Sequence, residues 1–203
     1  MTTPNVIHIS NRMTGKLKDI DAINTNTLTN EFCAAMQLKP KNVICTDCYS
    51  YRMLSTYRKT CTDAFEHNSQ LLQNPVHWDD LPRIHTLRLR INAHGELINM
   101  NHMLNIHNIA LKNPLTAITI WTKRKDIINK YHQQYTQPDN LILVFSNPIK
   151  DNVMPNAPEG FNKVFNNVTG ADARANCTGQ KCADCLMCYT PDNDTECIVE
   201  HVK

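Results

Sequence analysis

Short apolar segments alternate with segments of helical periodicity through the middle of the chain, at a spacing of about 27 residues. Three of them are predicted strands, over residues 87–91, 115–122 and 141–145, and the first alternates apolar with basic residues as a half-buried strand does. Helices are predicted between them, over residues 99–111 and 124–135. Strands and helices in this order are typical of parallel sheets with right-handed crossovers.

A weaker fourth strand is predicted over residues 163–168. Three or four such units are too few for a closed eight-stranded barrel. The sequence therefore predicts an α/β fold, either a partial (β/α) barrel or an open parallel sheet. We expect this domain to cover residues 1–170, and residues 171–203 to form a Cys-rich, loop-like C-terminal tail packed on it. A length of 203 residues fits one domain with a small appendage.

The first third of the chain is less regular. Residues 2–41 are polar, rich in Asn and Thr, and show no sustained period. A short helix is predicted over residues 28–36, with Thr29 or Asn30 near its start. Apolar residues at helical spacing predict a longer helix over residues 49–73.

Composition and charge exclude several classes of protein. With 41% hydrophobic and 20% charged residues the chain is globular, not disordered. A net charge of +2 is too mild to indicate a nucleic-acid or membrane surface. The first residues lack a signal-peptide pattern, and the apolar run at residues 141–145 is far shorter than the roughly 20 residues that cross a bilayer. We therefore expect a cytoplasmic protein without a membrane partner, whose clustered cysteines bind metal rather than form disulfides.

The nine cysteines include two groups at the spacing of metal ligands. Two intervening residues allow two thiolates to reach one metal or cluster from a single turn. One group is Cys45 and Cys48, and the other is a C-x-x-C-x-x-C run in the tail that is preceded by a further cysteine. The tail run resembles the iron–sulfur ligation of bacterial ferredoxins, although their Cys-Pro step is absent. The predicted metal ligands are Cys45, Cys48, Cys177, Cys182, Cys185 and Cys188, which could serve one 4Fe–4S cluster or two.

Zinc is the alternative to iron and sulfide at these cysteines, and a chain without metal is the third possibility. A zinc ribbon places its two C-x-x-C pairs about 15 to 20 residues apart. Here the pairs lie at opposite ends of the chain, so a zinc site would have to join the termini. Cys33, Cys61 and Cys197 are expected to be buried or free thiols. Cys33 is the one most readily recruited as a ligand, because it shortly precedes Cys45.

Polar residues follow each predicted strand, where parallel α/β proteins carry their functional sites. Any such loop is polar because it lies in water, so polarity alone does not identify a site. Gly95 and Glu96 stand out after the first strand, because a glycine lets the backbone approach a ligand and a carboxylate can bind an amine. His94 is the one histidine expected near this site.

Several of these residues, taken in their order along the chain, resemble the phage protein family called gene product eighty-eight. That family is itself similar to a reduced radical S-adenosylmethionine (SAM) enzyme. The resemblance implies a partial β/α barrel with an iron–sulfur cluster at its mouth, and a phage protein of the host cytoplasm. Its anchors are Cys45, Cys48, Gly95, Glu96, Trp121, Thr122, Lys123 and the tail cysteines.

The resemblance also implies roles for individual residues. Cys45 and Cys48 would hold a cluster iron, Gly95, Glu96 and Lys123 would bind the cofactor, and Glu96 would contact the amino group of SAM. Radical SAM enzymes carry C-x3-C-x2-C, whereas the position four before Cys45 is Lys41. Either Cys33 or the tail cysteines would therefore complete the ligand set. Four cysteine ligands would leave no iron open to SAM.

Two functions follow from the sequence. The first is an iron–sulfur protein of radical-SAM-like architecture, redox-active or catalytic. The second is a non-catalytic protein in which zinc or a cluster joins the termini and the surface binds a host protein or nucleic acid. The basic residues 123–125 would suit phosphates. Because 19 acidic residues balance 21 basic ones, a solvated face is the preferred interpretation of that patch.

Overall fold

A computed structural model describes residues 6–191 and 195–202 of the chain. Six parallel strands form one open sheet, in which each strand pairs with the next one along the sequence. The predicted α/β class and open parallel sheet are confirmed, with more strands than the sequence pattern shows. The strands are β1 (Asp21–Ile23), β2 (Arg88–Ile91), β3 (Ala117–Thr122), β4 (Leu141–Ser146), β5 (Lys163–Val168) and β6 (Cys197–His201).

Helices fill most of the connections between these strands. The helices are α1 (Glu31–Gln37), α2 (Tyr49–Thr56), α3 (Lys59–Leu72), α4 (Met100–Lys112), α5 (Lys125–His132) and the single turn α6 (Cys182–Cys185). Short 3-10 turns cover Gly15–Leu17, Ile44–Asp47 and Trp78–Asp80. Within the described residues, no helix has the length and apolar character needed to cross a membrane.

One face of the sheet packs against helices and forms the main core. Alternate residues of the strands point to this face, as the two-residue period of a strand requires. In β2 these are Leu89 and Ile91, both fully buried. The helices α3, α4 and α5 supply the other half of the core. Its largest members from the helices are Leu72, Met103, Ile106, Ile109, Ile128 and Tyr131.

The opposite face, called the inner face below, is covered by the C-terminal tail. A second and smaller apolar cluster lies here, in which Trp121 of β3 packs beside Tyr189 of the tail. Cys182 and Cys188 pack against the same cluster. The tail also supplies β6, whose five residues all pair with β5, from Val164 to Val168. The cysteine-rich segment is therefore held against the sheet by its own last strand.

The predicted helix over residues 49–73 is wrong as one element, because the chain leaves the helix at Tyr57 and Arg58. The hydroxyls of Ser55 and Thr56 both hydrogen-bond to the carbonyl of Arg52. Such side-chain bonds compete with the helical backbone bonds and favour an end at this point. Two helices, α2 and α3, replace the single predicted helix, and each buries its own set of side chains.

Two helix starts were predictable from their capping residues. The Asn30 side chain accepts a hydrogen bond from the Cys33 backbone N–H at 3.1 Å and begins α1. Asn99 does the same for His102 at the start of α4, at 3.0 Å. Asn is among the preferred residues at this position because its side chain satisfies a free N–H of the first turn. The Asn30 cap fixes Cys33 in the first turn of α1.

Candidate metal centre

Four cysteines of the tail lie near one another, two of them (Cys182 and Cys188) packed on the inner face of the sheet; they are called the tail thiols below: Cys177, Cys182, Cys185 and Cys188. Cys177 forms a parallel bridge beside β6, and α6 begins and ends with Cys182 and Cys185. Leu186 then adopts a left-handed conformation (φ 59°), which ends the turn. The Cys188 carbonyl accepts a hydrogen bond from the Thr119 hydroxyl of β3 at 3.2 Å.

The tail thiols lie within electrostatic reach of one another. Burial raises the pKa of Cys188 to about 12, Arg90 acts in the opposite direction, and the other three tail thiols add to the rise. Burial also raises the pKa of Cys182, again opposed by Arg90 and reinforced by Cys177 and Cys185. Anionic thiolates at this place therefore need a compensating positive charge, and Arg90 supplies it for two of them.

Polar side chains from the edge of the group contact the other two thiols. The Lys16 Nζ donates to the Cys177 Sγ at 3.6 Å and also pairs with the Glu200 carboxylate. The Gln180 Nε2 donates to the Cys185 Sγ at 3.6 Å. Each of the four tail thiols is thus placed near a positive charge or a hydrogen-bond donor, which is the environment that stabilises thiolates.

The floor under the tail thiols carries three buried polar groups. The Arg90 guanidinium lies 3.8 Å from the centroid of the Trp121 ring, and that ring lies 5.7 Å from the Tyr189 ring. Trp121 is 7% exposed and Tyr189 3%. The Arg90 Nε, the Trp121 Nε1 and the Tyr189 hydroxyl are buried; Arg90 lies beside the Tyr189 hydroxyl but can only donate to it, so none of the three donors has an acceptor among the described residues.

A second group of cysteines lies at the carboxyl ends of the strands, and its members Cys33, Cys45 and Cys48 are called the strand-end thiols. Helix α1, which carries Cys33, packs against the 3-10 turn that carries Cys45. Burial raises the pKa of the Cys33 thiol, and Glu96 and Cys48 raise it further while Lys123 lowers it. The predicted pair Cys45 and Cys48 therefore has a third thiol beside it.

Lys123 supplies the positive charge of this second group. Burial lowers the pKa of its ammonium, but the charges of Glu96 and the three strand-end thiols outweigh burial and raise that pKa. The Lys123 Nζ also donates to the Ser146 hydroxyl at the end of β4, at 3.0 Å. The expected solvated face at residues 123–125 is wrong for Lys123, because the residue follows β3 directly and its side chain turns over the sheet edge.

The Glu96 carboxylate is held inside the protein by three donors. It accepts hydrogen bonds from the Thr122 hydroxyl at 2.5 Å, the Leu97 N–H at 2.8 Å and the Lys123 N–H at 3.0 Å. Glu96 is 4% exposed. These bonds join the loop after β2 to the end of β3. The contact with SAM that the resemblance implies for Glu96 stays a prediction.

His94 anchors the segment that carries Cys48. Its Nδ1 lies 2.9 Å from the Ser50 hydroxyl, and its ring stacks on Phe65 with the centroids 5.4 Å apart. The Tyr49 hydroxyl donates to the Ala93 carbonyl in the same loop. Burial lowers the pKa of His94 to about 4, so the ring is neutral near pH 7. His94 thus lies near the second group, as expected, in a structural position.

Gly95 lets two loops approach closely at this edge. Its φ is +91°, and a Cβ built there would lie 2.1 Å from the Thr25 Oγ1 and 2.5 Å from the Thr25 carbonyl oxygen. The Gly95 N–H donates to the Thr27 hydroxyl at 3.0 Å. The backbone approach predicted at Gly95 is therefore an approach to another loop of the same chain.

We expect Gly95→Ala to lower the free energy of unfolding by more than about 3 kcal/mol, because the methyl group meets backbone atoms of Thr25 that cannot move aside. Gly15→Ala is the matched control: its φ is +64°, but no atom lies within 4 Å of the added Cβ. That variant carries only the backbone strain of about 1 to 2 kcal/mol. Urea unfolding of both variants checks the prediction, and equal losses would contradict the clash.

The structure brings the sequence-predicted cysteines together in two groups. The tail thiols form one, and Cys45 and Cys48 form the other with Cys33, Glu96 and Lys123. Among residues 6–191 and 195–202, no three His, Cys, Asp or Glu side chains form a ready site for a single metal ion. Cys197, expected to be no ligand, donates instead to the Met154 carbonyl at 3.4 Å.

Arg90 is the residue of the first group that sequence reasoning did not single out. The strand pattern contains the signal: Leu89 and Ile91 face the helices, so Arg90 between them faces the inner side of the sheet. A basic residue on a sheet face that also receives a cysteine-rich segment indicates an anionic neighbour.

Compared with protein-family models, curated proteins and solved structures, the chain matches none of them.

Proposed function

We propose that this chain is an iron–sulfur protein whose tail thiols ligate a 4Fe–4S cluster on the inner face of the sheet. The proposal rests mainly on four cysteines that have ligand spacing in the sequence and lie near one another in the fold, two of them, Cys182 and Cys188, beside the Arg90 guanidinium. Iron–sulfur clusters and zinc both select soft thiolate ligands. The buried donors of Arg90, Trp121 and Tyr189 favour an anionic group that offers several hydrogen-bond acceptors.

The charges around the tail thiols support a bound anion. Four thiolates bring four negative charges, of which the irons and sulfides of the core together neutralise only a part. Arg90 and Lys16 supply two positive charges beside them. Buried charge is tolerated where it is paired and hydrogen-bonded, and here the cations and donors are already positioned by β2 and the first 3-10 turn.

The strand-end thiols extend the proposal to a second metal–thiolate centre. Three protein thiolates leave one ligand position for another molecule, which is how catalytic metal sites differ from closed structural ones. Lys123 compensates charge there, as Arg90 does in the tail. The carboxyl ends of parallel strands are also the usual place of chemistry in such folds, and the resemblance puts SAM at this edge.

Metal and sulfide analysis of protein purified without oxygen tests the proposal. We expect a brown protein with broad absorption near roughly 400 nm and acid-labile sulfide equal to iron. Iron per chain would be about four for the tail cluster alone and about eight if the strand-end thiols hold a second 4Fe–4S cluster. Cys61→Ser, which alters a thiol of α3, serves as control and should keep the same iron content.

A colourless protein with stoichiometric zinc would contradict the iron–sulfur proposal. That result would favour the non-catalytic alternative, in which zinc fixes the tail to the sheet. About four irons per chain, with the full cluster absorption, would support the tail cluster and contradict a second cluster at the strand-end thiols.

A further inference from the structure

Three hydrogen-bond donors on the inner face lack an acceptor in the part of the chain that the structure describes. They are the Arg90 Nε–H, the Trp121 Nε1–H and the Tyr189 hydroxyl. The two rings are more than nine-tenths buried. A single unpaired buried donor is unusual in a native protein, and each one needs an explanation. Three in one place indicate that something absent from the protein chain accepts their hydrogens.

The three donors border the same space as the tail thiols. Arg90 lies over Trp121 and Trp121 lies beside Tyr189. Cys182 and Cys188 pack against the apolar cluster that contains both rings. The apolar neighbours of the rings are Ile20, Ile142 and Val144, and the polar Thr119 hydroxyl nearby donates to the Cys188 carbonyl. Since no described residue accepts from the three donors and two cysteines pack on this cluster, a group held by the cysteines would supply the acceptors.

The sulfurs of a thiolate-ligated cluster fit this donor set. They carry negative charge, they accept hydrogen bonds, and several of them lie on one body, so donors from three directions can be satisfied together. A single zinc ion brings no sulfide and offers only the thiolates that hold it. The Arg90 guanidinium, the Trp121 N–H and the Tyr189 hydroxyl are all hydrogen-bond donors, so each can donate to such a sulfur.

We infer that Arg90, Trp121 and Tyr189 donate hydrogen bonds to the sulfurs of the tail cluster and raise its reduction potential. This inference rests on the proposed function. Reduction adds one electron to the cluster, and the added negative charge strengthens each hydrogen bond and the attraction to Arg90. The donors therefore stabilise the reduced cluster more than the oxidised one, which shifts the potential upward.

The test is the midpoint potential of the tail cluster, measured against an electrode in the full-length protein. Tyr189→Phe removes only the hydroxyl and keeps the ring between Trp121 and the cysteines. In this variant we expect the ratio of reduced to oxidised cluster at a fixed electrode potential to fall about threefold. Arg90→Gln removes charge and donor together, and we expect at least a tenfold fall, which is about 59 mV for a one-electron couple.

Two matched controls separate hydrogen bonding from general effects. Tyr131→Phe removes a hydroxyl that lies 2.8 Å from the His107 Nδ1 on the helix-covered face, and its potential should equal that of the wild type. Arg88→Gln makes the same charge change two residues earlier in β2, and its shift should be much smaller than that of Arg90→Gln.

Failure of the inference is distinguishable from failure of the proposed function. A wild-type chain without iron and sulfide would overturn both. A wild-type chain with its cluster, together with an unchanged potential in Tyr189→Phe and equal shifts in the two arginine variants, would overturn the inference alone. If Arg90→Gln does not retain its cluster, Tyr189→Phe against Tyr131→Phe decides the question by itself.

Discussion

Replacing Cys188 with Ser is expected to release the tail cluster and to destabilise the chain by about 3 kcal/mol or more, because ligation is coupled to the folding of the ligating segment. Cys188 packs against the inner-face cluster that contains Trp121 and Tyr189, so loss of the bound cluster should also loosen the cover of that face. For a chain of this length the loss corresponds to a fall of roughly 10 °C in melting temperature. Iron per chain should fall by about four.

Cys185→Ser should give the same result, since both thiols belong to one ligand set. Cys61→Ser is the control, because Cys61 lies on α3, away from the tail. Anaerobic iron analysis and calorimetric melting measure the two effects together. Unchanged iron and unchanged melting in both Cys185→Ser and Cys188→Ser would show that the tail cysteines are not a ligand set.

Replacing Glu96 with Ala is expected to lower the free energy of unfolding by about 3 kcal/mol. The change leaves the Thr122 hydroxyl and the N–H groups of Leu97 and Lys123 without their acceptor in a buried place. It also removes the carboxylate whose charge compensates the Lys123 ammonium. Chemical unfolding followed by circular dichroism provides the measurement.

Two variants make the Glu96 prediction specific. Glu96→Gln keeps the shape and one acceptor oxygen, so its loss should be about half as large. Glu31→Ala removes an exposed carboxylate from the first turn of α1 and should change stability by less than about 1 kcal/mol. A loss below about 1 kcal/mol for Glu96→Ala would contradict the structural role of this carboxylate.

Long and strongly patterned elements were predictable from the sequence, whereas short ones were not. The strands β2 to β5 and the helix α4 follow from apolar periodicity, and Asn30 and Asn99 mark helix starts through local capping chemistry. β1 has only three residues and lies at the end of a polar, Asn- and Thr-rich segment, and β6 lies in the Cys-rich tail whose composition predicts a loop, so neither was predicted. Both strands exist because a neighbouring strand offers a free edge.

The two cysteine groups also differ in how far they could be predicted from the sequence. The tail group is local, so the spacing of Cys182, Cys185 and Cys188 already predicts it. The strand-end group depends on the fold: α1 must turn back onto the Cys45 segment, and β3 must lie beside β2 before Lys123 reaches Glu96. The spacing of cysteines along the chain does not indicate such a long-range contact. For this reason the sequence predicts no more of Cys33 than that it is the most readily recruited of the other thiols.

The basic run at residues 123–125 shows how the fold divides neighbouring residues among different roles. Lys123 faces the strand-end thiols, Arg124 pairs with Asp126 at 2.7 Å, and Lys125 is exposed. Arg124 also donates to the carbonyl oxygens of Leu97 and Ile98. Only the last residue of the run matches the expected solvated face.

Native mass spectrometry of the chain, purified and sprayed without oxygen, tests the central claim most directly. The account predicts a species heavier than the bare chain by four irons and four sulfides, and the loss of that increment in Cys188→Ser but not in Cys61→Ser. A mass increment of a single zinc ion, or of no metal at all, in the wild-type chain would contradict it.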